Sequence, residues 1–326
     1  MDDRELLQRL AAGPATGDVL AAAAGLTRAA VWKRIEGLRA AGIEIQGSPG
    51  RGYALAWPLD LLDPAAIRAS IPPVARGLLA GLDVAWTTDS TNTQLLEATT
   101  PPEGTQVLLA ERQTGGRGRR GRNWASPLAA HLYLSLARHF SGGLARLGGL
   151  SLVAGIAVAD ALHALGFGDV RLKWPNDLVV RDRAGLRKLG GLLVEGGGEH
   201  AGPVRAVLGI GLNVRMPAAT AAAIDQPWCD LAALGPAVSR NAIAATLLAH
   251  LLPALETFDS EGLAPFLPRY AALDALAGQR VRLHLPGGEC DATALGLVDD
   301  GALRVRIDDG SERVLHSGEV SVRMGA

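Results

Sequence analysis

Leucines at positions 6, 7 and 10 fall on one side of a helix expected over residues 4–12. A second helix is predicted from a cap at Thr16 or Asp18 through Val19 and Leu20 to Ala24, and a third from Arg28 to about Ala41, capped by Thr27. In the third helix Ala30, Val31, Ile35, Leu38 and Ala41 share one face. Residues 43–46 then read as a strand, residues 47–52 (Gly-Ser-Pro-Gly-Arg-Gly) as a turn and residues 53–55 as the returning strand. Three short helices followed by a hairpin predict a winged helix-turn-helix over residues 1–62.

Prolines at 58, 64, 72 and 73 interrupt the pattern, so residues 63–80 are expected as a linker carrying a short helix. From 82 to 212, strand-like segments (83–87, 106–111, 131–137, 170–173, 189–195 and 204–209) alternate with helix-like ones (93–98 and 144–165). Helices are expected again at 241–257 and 263–276. Beyond Gly278, short alternating strands at 281–285, 291–298, 302–307 and 312–315 predict a small β-barrel. The fold class is therefore α+β and multidomain, with a mixed central domain over 81–276 and a C-terminal one over 277–326.

Composition narrows the function. The 326 residues carry 32 basic and 33 acidic side chains, which excludes a protein that coats nucleic acid or membrane through bulk charge. Only three of the basic residues are lysines, Lys33, Lys173 and Lys188; the arginine excess itself is compositional bias. A lysine surviving in that background merits attention, because a compact ammonium and a planar guanidinium do different work. Two cysteines cannot build a disulfide framework, and no Cys/His spacing suits zinc, so no protein-bound metal is expected. The acidic N-terminus lacks a signal peptide's apolar core, and the longest uncharged apolar run, 147–159, falls short of the ~20 residues of a membrane span. A soluble, cytoplasmic protein with no membrane partner is the expectation.

The sharpest motif is Gly115-Gly116-Arg117-Gly118-Arg119-Arg120-Gly121-Arg122-Asn123-Trp124. It satisfies G-x-G-x-x-G, but no helical pattern follows Gly121 and no acidic residue lies between Arg122 and Ala159 to hold a ribose. Four arginines among glycines suit an anion instead: backbone N–H groups approach phosphate closely while guanidinium forks pair with its oxygens. A solvated basic loop is the plain alternative, and such a loop self-repels until an anion enters. The loop leaves a strand end at Gln113, where ligand sites gather.

Lys173-Trp174-Pro175-Asn176-Asp177 reads as a turn that could also face a charged ligand. Lys188 opens an apolar strand through Gly190, Gly191 and Glu195, where an ammonium could neutralise a developing oxyanion, or could simply be a surface group. Gly209-Ile210-Gly211-Leu212-Asn213 offers small residues and one amide. Asp89-Ser90-Thr91-Asn92 suits a helix cap, whose N–H groups could equally hold a carboxylate or ureido group. No nucleophile elbow, zinc-protease motif or Walker A loop occurs, so catalysis would rest on positioning and charge.

In this order and spacing, these motifs resemble the bifunctional biotin operon repressor/biotin protein ligase family over essentially the whole chain. The resemblance implies a central domain like class II aminoacyl-tRNA synthetase cores and an SH3-like C-terminal barrel. It implies that Ser90, Thr91, Asn92 and Gln113 contact biotin, and that Arg117, Gly118 and Arg119 fold over biotin and the adenylate phosphate. Gly116, Arg120, Arg122, Trp124, Lys173 and Asn176 belong to the adenylate side, with Asn213 and Trp228 toward adenine. Lys188 would contact the biotin carboxylate and phosphate, and Asp177 would lie near the acceptor lysine, making Lys188, Arg119 and Asp177 the implied catalytic residues. Gly190 stands where alanine is usual, which should be a minor packing change.

The implied substrates are biotin and ATP with Mg2+, the acceptor a lysine of the biotin carboxyl carrier protein of acetyl-CoA carboxylase. The resemblance also implies adenylate-promoted homodimers that bind the operator of biotin synthesis genes. Thr27, Arg28, Lys33, Arg34 and Arg51 are the expected DNA contacts. From residue 28 to 51, five basic side chains oppose Glu36 and Glu44. So small a surplus gives a shallow salt dependence, roughly −0.9 per phosphate contact, and binding by one copy would be weak. Repression would need two copies; a ligase with a non-regulatory winged helix is the alternative.

Overall fold

The computed structural model describes residues 2–48, 50–141, 143–198, 204–285, 288–316 and 321–324. The N-terminal unit contains α1 (Asp3–Ala11), α2 (Gly17–Ala24), α3 (Arg28–Ala40) and the hairpin β1 (Ile45–Ser48) and β2 (Gly52–Leu55). Asp2 and Glu5 close a capping box on α1, while Thr16 and Thr27 cap α2 and α3 through their hydroxyls. Val31, Ile35, Leu38 and Ala41 are all buried, as their spacing predicts. β1 starts two residues later than expected because Ile43 N–H still bonds back to Leu38 O as the chain leaves the helix. Pro49, in the expected turn, lies outside the described residues.

Residues 63–80 are not a free tether. α4 (Pro64–Ser70) and α5 (Pro73–Arg76) bury Ile67, Ile71 and Ala75 in the central core. A charged clamp fixes the same stretch: Arg240 pairs with Glu111 at 2.8 Å, both almost fully buried, and Glu111 accepts Leu62 N–H at 2.6 Å. Apolar burial, invisible in a run of prolines, turns this segment into part of the domain.

The central sheet has the order β3-β4-β5-β9-β8-β7-β6. Its strands are β3 (Leu79–Ala85), β4 (Thr105–Ala110), β5 (Leu132–Phe140), β6 (Arg171–Lys173), β7 (Asp177–Asp182), β8 (Gly185–Gly198) and β9 (Val204–Leu212). Only β3 and β4 run parallel; the other neighbours are antiparallel. α6 (Thr91–Glu97) lies against β4, β5 and β9, while α7 (Leu150–Ala164) and α9 (Arg240–Glu261) pack together and against the sheet. By length and composition, residues 147–164 and α9 could each cross a membrane; here their apolar side chains fill the core. The short α8 (Ala218–Ala221) and α10 (Leu267–Leu273) complete the helices. β7 was not expected: Lys173 to Asp177 is the tip of the β6–β7 hairpin rather than a strand end alone.

The C-terminal unit is a five-stranded antiparallel sheet in the order β13-β12-β11-β10-β14. Its strands are β10 (Arg280–Leu285), β11 (Gly288–Leu297), β12 (Leu303–Ile307), β13 (Glu312–Leu315) and β14 (Ser321–Met324), the last beyond the predicted set. Trp174, 2% exposed, donates its indole N–H to Gly301 O at 3.0 Å and so fastens the 173–177 turn to this unit.

Burial pushes the fully buried His131 down to about 3, with Arg240 adding repulsion against a second positive charge. Its Nδ1 accepts the Val214 N–H at 3.2 Å, which requires the neutral ring. The unfolded ring titrates near 6.5, so the unfolded state takes up the proton first and stability falls as pH drops from about 6.5 toward 3. At pH 5 the loss is about 2 kcal/mol relative to pH 7. Denaturant midpoints across pH should show it, and His131→Gln should flatten the slope.

Candidate functional site

Ser90, Thr91 and Asn92 open α6 and are all buried. Ser90 caps the helix by accepting Thr93 N–H at 3.4 Å. The Thr91 N–H and hydroxyl both donate to Gln113 Oε1, at 2.8 and 3.1 Å, and Gln113 Nε2 donates to Ser126 Oγ at 3.3 Å. From β5, the buried Ser135 hydroxyl lies 2.7 Å from Thr91 Oγ1 and 2.6 Å from Asn92 Oδ1. Asn92 Nδ2 donates to Leu193 O at 3.3 Å and to Glu195 Oε2 at 2.8 Å. Gly209 backs this amide: a Cβ there would stand 2.4 Å from Asn92 Oδ1.

The arginine loop is folded rather than splayed. Gly118 N–H bonds to Arg122 O at 2.7 Å and Trp124 N–H to Gly116 O at 2.9 Å, with Arg120 and Gly121 in the left-handed region. Counter-charges and acceptors offset the self-repulsion expected of four arginines. Arg117 pairs with Glu195 at 3.0 Å, and Arg119 donates to Asn176 Oδ1 at 3.3 Å. Burial holds the Arg119 guanidinium below its usual range, Arg120 adds to this, and Asp177 opposes it. Gly116 is required where it stands, since a Cβ would meet Ser126 Oγ at 2.8 Å and Trp124 O at 2.9 Å. The Trp124 indole lies directly on Gly211, where a Cβ would be 2.5 Å from the ring.

Lys188 joins this group from β8. Its ammonium stands 2.7 Å from Asp177 Oδ1 and 5.4 Å from the Trp124 ring centroid. Lys173 approaches the other Asp177 oxygen at 3.9 Å. Asn176 Nδ2 donates to Leu192 O at 2.7 Å, pinning the turn to β8. Asn213 Nδ2 donates to Cys229 O at 3.0 Å, and Trp228 forms a parallel bridge with Lys188, so the 227–229 segment is laced to the strand that carries the lysine. Arg122 is exposed at the loop's end.

The predicted ligand residues therefore form one group, from α6 across the loop to the 173–177 turn. Ser135 and Glu195 had no assigned role; a serine inside the apolar run of β5 and an acid ending the apolar run of β8 were the available signals. Gly190 is tighter than expected: a Cβ there would lie 2.8 Å from Gly211 O and 3.0 Å from Leu178 Cδ1, so alanine would force the β8–β9 pair apart and is not a minor change.

The predicted DNA residues lie elsewhere, on the N-terminal unit. Arg28, Lys33 and Arg51 are exposed, and Arg28 also pairs with Asp18 at 3.3 Å. Thr27 is exposed and accepts Ala30 N–H at 3.2 Å as a cap, and Arg34 pairs with Asp3 of α1 at 3.1 Å. Trp32, 57% exposed beside Lys33, is an addition to that face which sequence reading passed over.

Residues 84–213 match the biotin/lipoate A/B protein ligase family, residues 3–54 a helix-turn-helix domain and residues 277–323 the biotin protein ligase C-terminal domain. The chain is 39% identical over 308 residues to the bifunctional ligase/repressor BirA of Escherichia coli, covering 94% of this chain and 92% of that protein. It is 37% identical to the biotin–[acetyl-CoA-carboxylase] ligase of Mycobacterium tuberculosis, over 72% of this chain and 86% of that one. Among solved structures, the biotin protein ligase of Aquifex aeolicus in complex with biotin and ATP superposes with a TM-score of 0.62 at 26% identity, covering 76% of this chain and all of that one.

Proposed function

Because the chain belongs to the bifunctional ligase/repressor family of biotin protein ligases, we propose that it joins biotin to a lysine of a biotin carrier domain and represses transcription when charged with the adenylate. In the first step the biotin carboxylate attacks the α-phosphorus of ATP and displaces pyrophosphate, giving biotinyl-5′-adenylate. The carrier lysine's amine then attacks the acyl carbon and displaces AMP. No protein nucleophile is needed. Arg119 and Lys188 neutralise the phosphate and the acyl oxygen, and Asp177 stands at the edge where the amine enters. Mg2+ would arrive on the nucleotide's phosphates. The central and C-terminal units would correspond to synthetase-like and SH3-like folds.

The observation that carries the substrate is the hydrogen-bond polarity around α6. Both Asn92 N–H groups have protein acceptors, while Oδ1 keeps a second lone pair beyond Ser135. Gln113 is the reverse: its oxygen is taken by Thr91, and Nε2 has a second N–H beyond Ser126. One spare acceptor and one spare donor match a ureido group's N–H and C=O. Lipoate's dithiolane offers neither and would leave the buried Asn92 oxygen and the half-buried Gln113 N–H unpaired, a loss worth up to about 10⁴-fold in selectivity.

The experiment combines labelled biotin or lipoate, Mg-ATP and a carrier domain. Biotin should label the carrier and lipoate should not; the opposite result would identify a lipoate ligase. For repression, Arg28, Lys33, Arg51 and Trp32 offer only a few contacts per copy, so two copies are needed. A gel shift on a biotin-operon promoter should appear only with biotin and ATP present. A shift indifferent to them would break the coupling, and none at all would leave a ligase alone.

A further inference from the structure

We infer that Glu195 is the positioning residue that sets the polarity of the biotin pocket and holds the arginine loop over it. The inference rests on the biotin reading above. Glu195 ends the apolar run of β8, and its two oxygens divide between two elements. Oε2 accepts from Asn92 Nδ2 at 2.8 Å on α6, and Oε1 accepts from Arg117 Nη2 at 3.0 Å on the loop. Among the described residues no other side chain bonds to both.

The first bond decides which way the Asn92 amide points. An ionised carboxylate and the Leu193 carbonyl accept only, so both demand Nδ2 and leave Oδ1 to Ser135 and the pocket. Gly209 presses on that oxygen from behind, where only a hydrogen fits. Without Glu195, Nδ2 would keep only the longer 3.3 Å bond to the Leu193 carbonyl, and because the Ser135 hydroxyl can accept as well as donate, Asn92 could turn and present a donor where a ureido N–H must bond. The second bond sorts the loop's charges. Arg117 is matched by the Glu195 carboxylate, whereas the bond seen for Arg119 goes to the neutral amide oxygen of Asn176, which leaves its charge for the phosphate.

The two bonds can be separated by substitution. Glu195→Ala removes both. Glu195→Gln keeps the shape, and its carbonyl can still accept from Asn92, but it carries no charge for Arg117. With Glu195→Ala, KM for biotin should rise at least tenfold, more than kcat falls, in carrier-labelling assays. The preference for biotin over an analogue methylated at a ureido nitrogen should shrink by a similar factor, which a purely structural role would not do. With Glu195→Gln that preference should persist, while trypsin should cut the loop between Arg117 and Arg122 several-fold faster than in wild type. Unchanged KM and unchanged preference in the alanine variant would overturn the orienting role, and an unchanged trypsin rate in the glutamine variant the loop-holding role. Failure of the wild-type protein to use biotin would instead overturn the biotin reading itself.

Discussion

Replacing Lys188 by arginine is expected to lower the rate of adenylate formation by at least about a hundredfold although the charge is kept. The ammonium occupies a confined place, 2.7 Å from Asp177 and 5.4 Å from the Trp124 ring centroid, with its Cε 3.3 Å from where a Cβ on Gly191 would stand. A guanidinium is wider and planar, and its fork would grip the Asp177 carboxylate in a two-point pair. That would hold positive charge on the acid and away from the phosphate and acyl oxygens. Lys188→Ala should be no worse than the arginine variant if geometry, rather than charge alone, is what Lys188 supplies. Biotin-dependent exchange of pyrophosphate into ATP measures the step directly. A near-normal rate in the arginine variant would remove Lys188 from the mechanism.

Much of this site could be read from the residues before any coordinates, and the reasons are physical. Turn chemistry and strand ends are local signals, so Ser90 to Asn92, the arginine loop, the 173–177 turn and Lys188 were found by type and spacing. That they would meet is a matter of sheet order. Asp177 and Lys188 are joined by the β7–β8 hairpin, but Trp124 reaches Gly211 only because β9 lies beside β8. Glu195 and Ser135 escaped notice because each looks like an ordinary strand residue until its partners on α6 and the arginine loop are known. The pairing of Arg34 was hidden too: its charge is plain in the sequence, while its partner Asp3 lies 31 residues away. The stretch 63–80 read as a linker because prolines announce broken secondary structure and say nothing about whether Ile67 and Ile71 find a core to enter.

Gly211→Ala should cripple the ligase through Trp124 rather than through the strand it alters. Gly211 sits in β9 opposite Tyr133 and Gly191, and its ladder would survive a methyl group. The indole would not: its Cε2 and Nε1 would stand 2.5 and 2.7 Å from the new carbon, closer than such contacts allow. Trp124 ends the arginine loop, bonds back to Gly116 and forms the face over which the Lys188 ammonium lies. Lifting it would open the loop, expose the site to water and move Arg117 and Arg119 off their partners. Misplacing groups that act by position costs on the order of a hundredfold. Melting temperature should change little, which separates this outcome from simple unfolding. A double-mutant cycle gives the sharper test, because Gly211→Ala should add almost nothing to Trp124→Ala if both act by removing the same indole. Full additivity would mean that Gly211 matters for some reason other than the tryptophan above it.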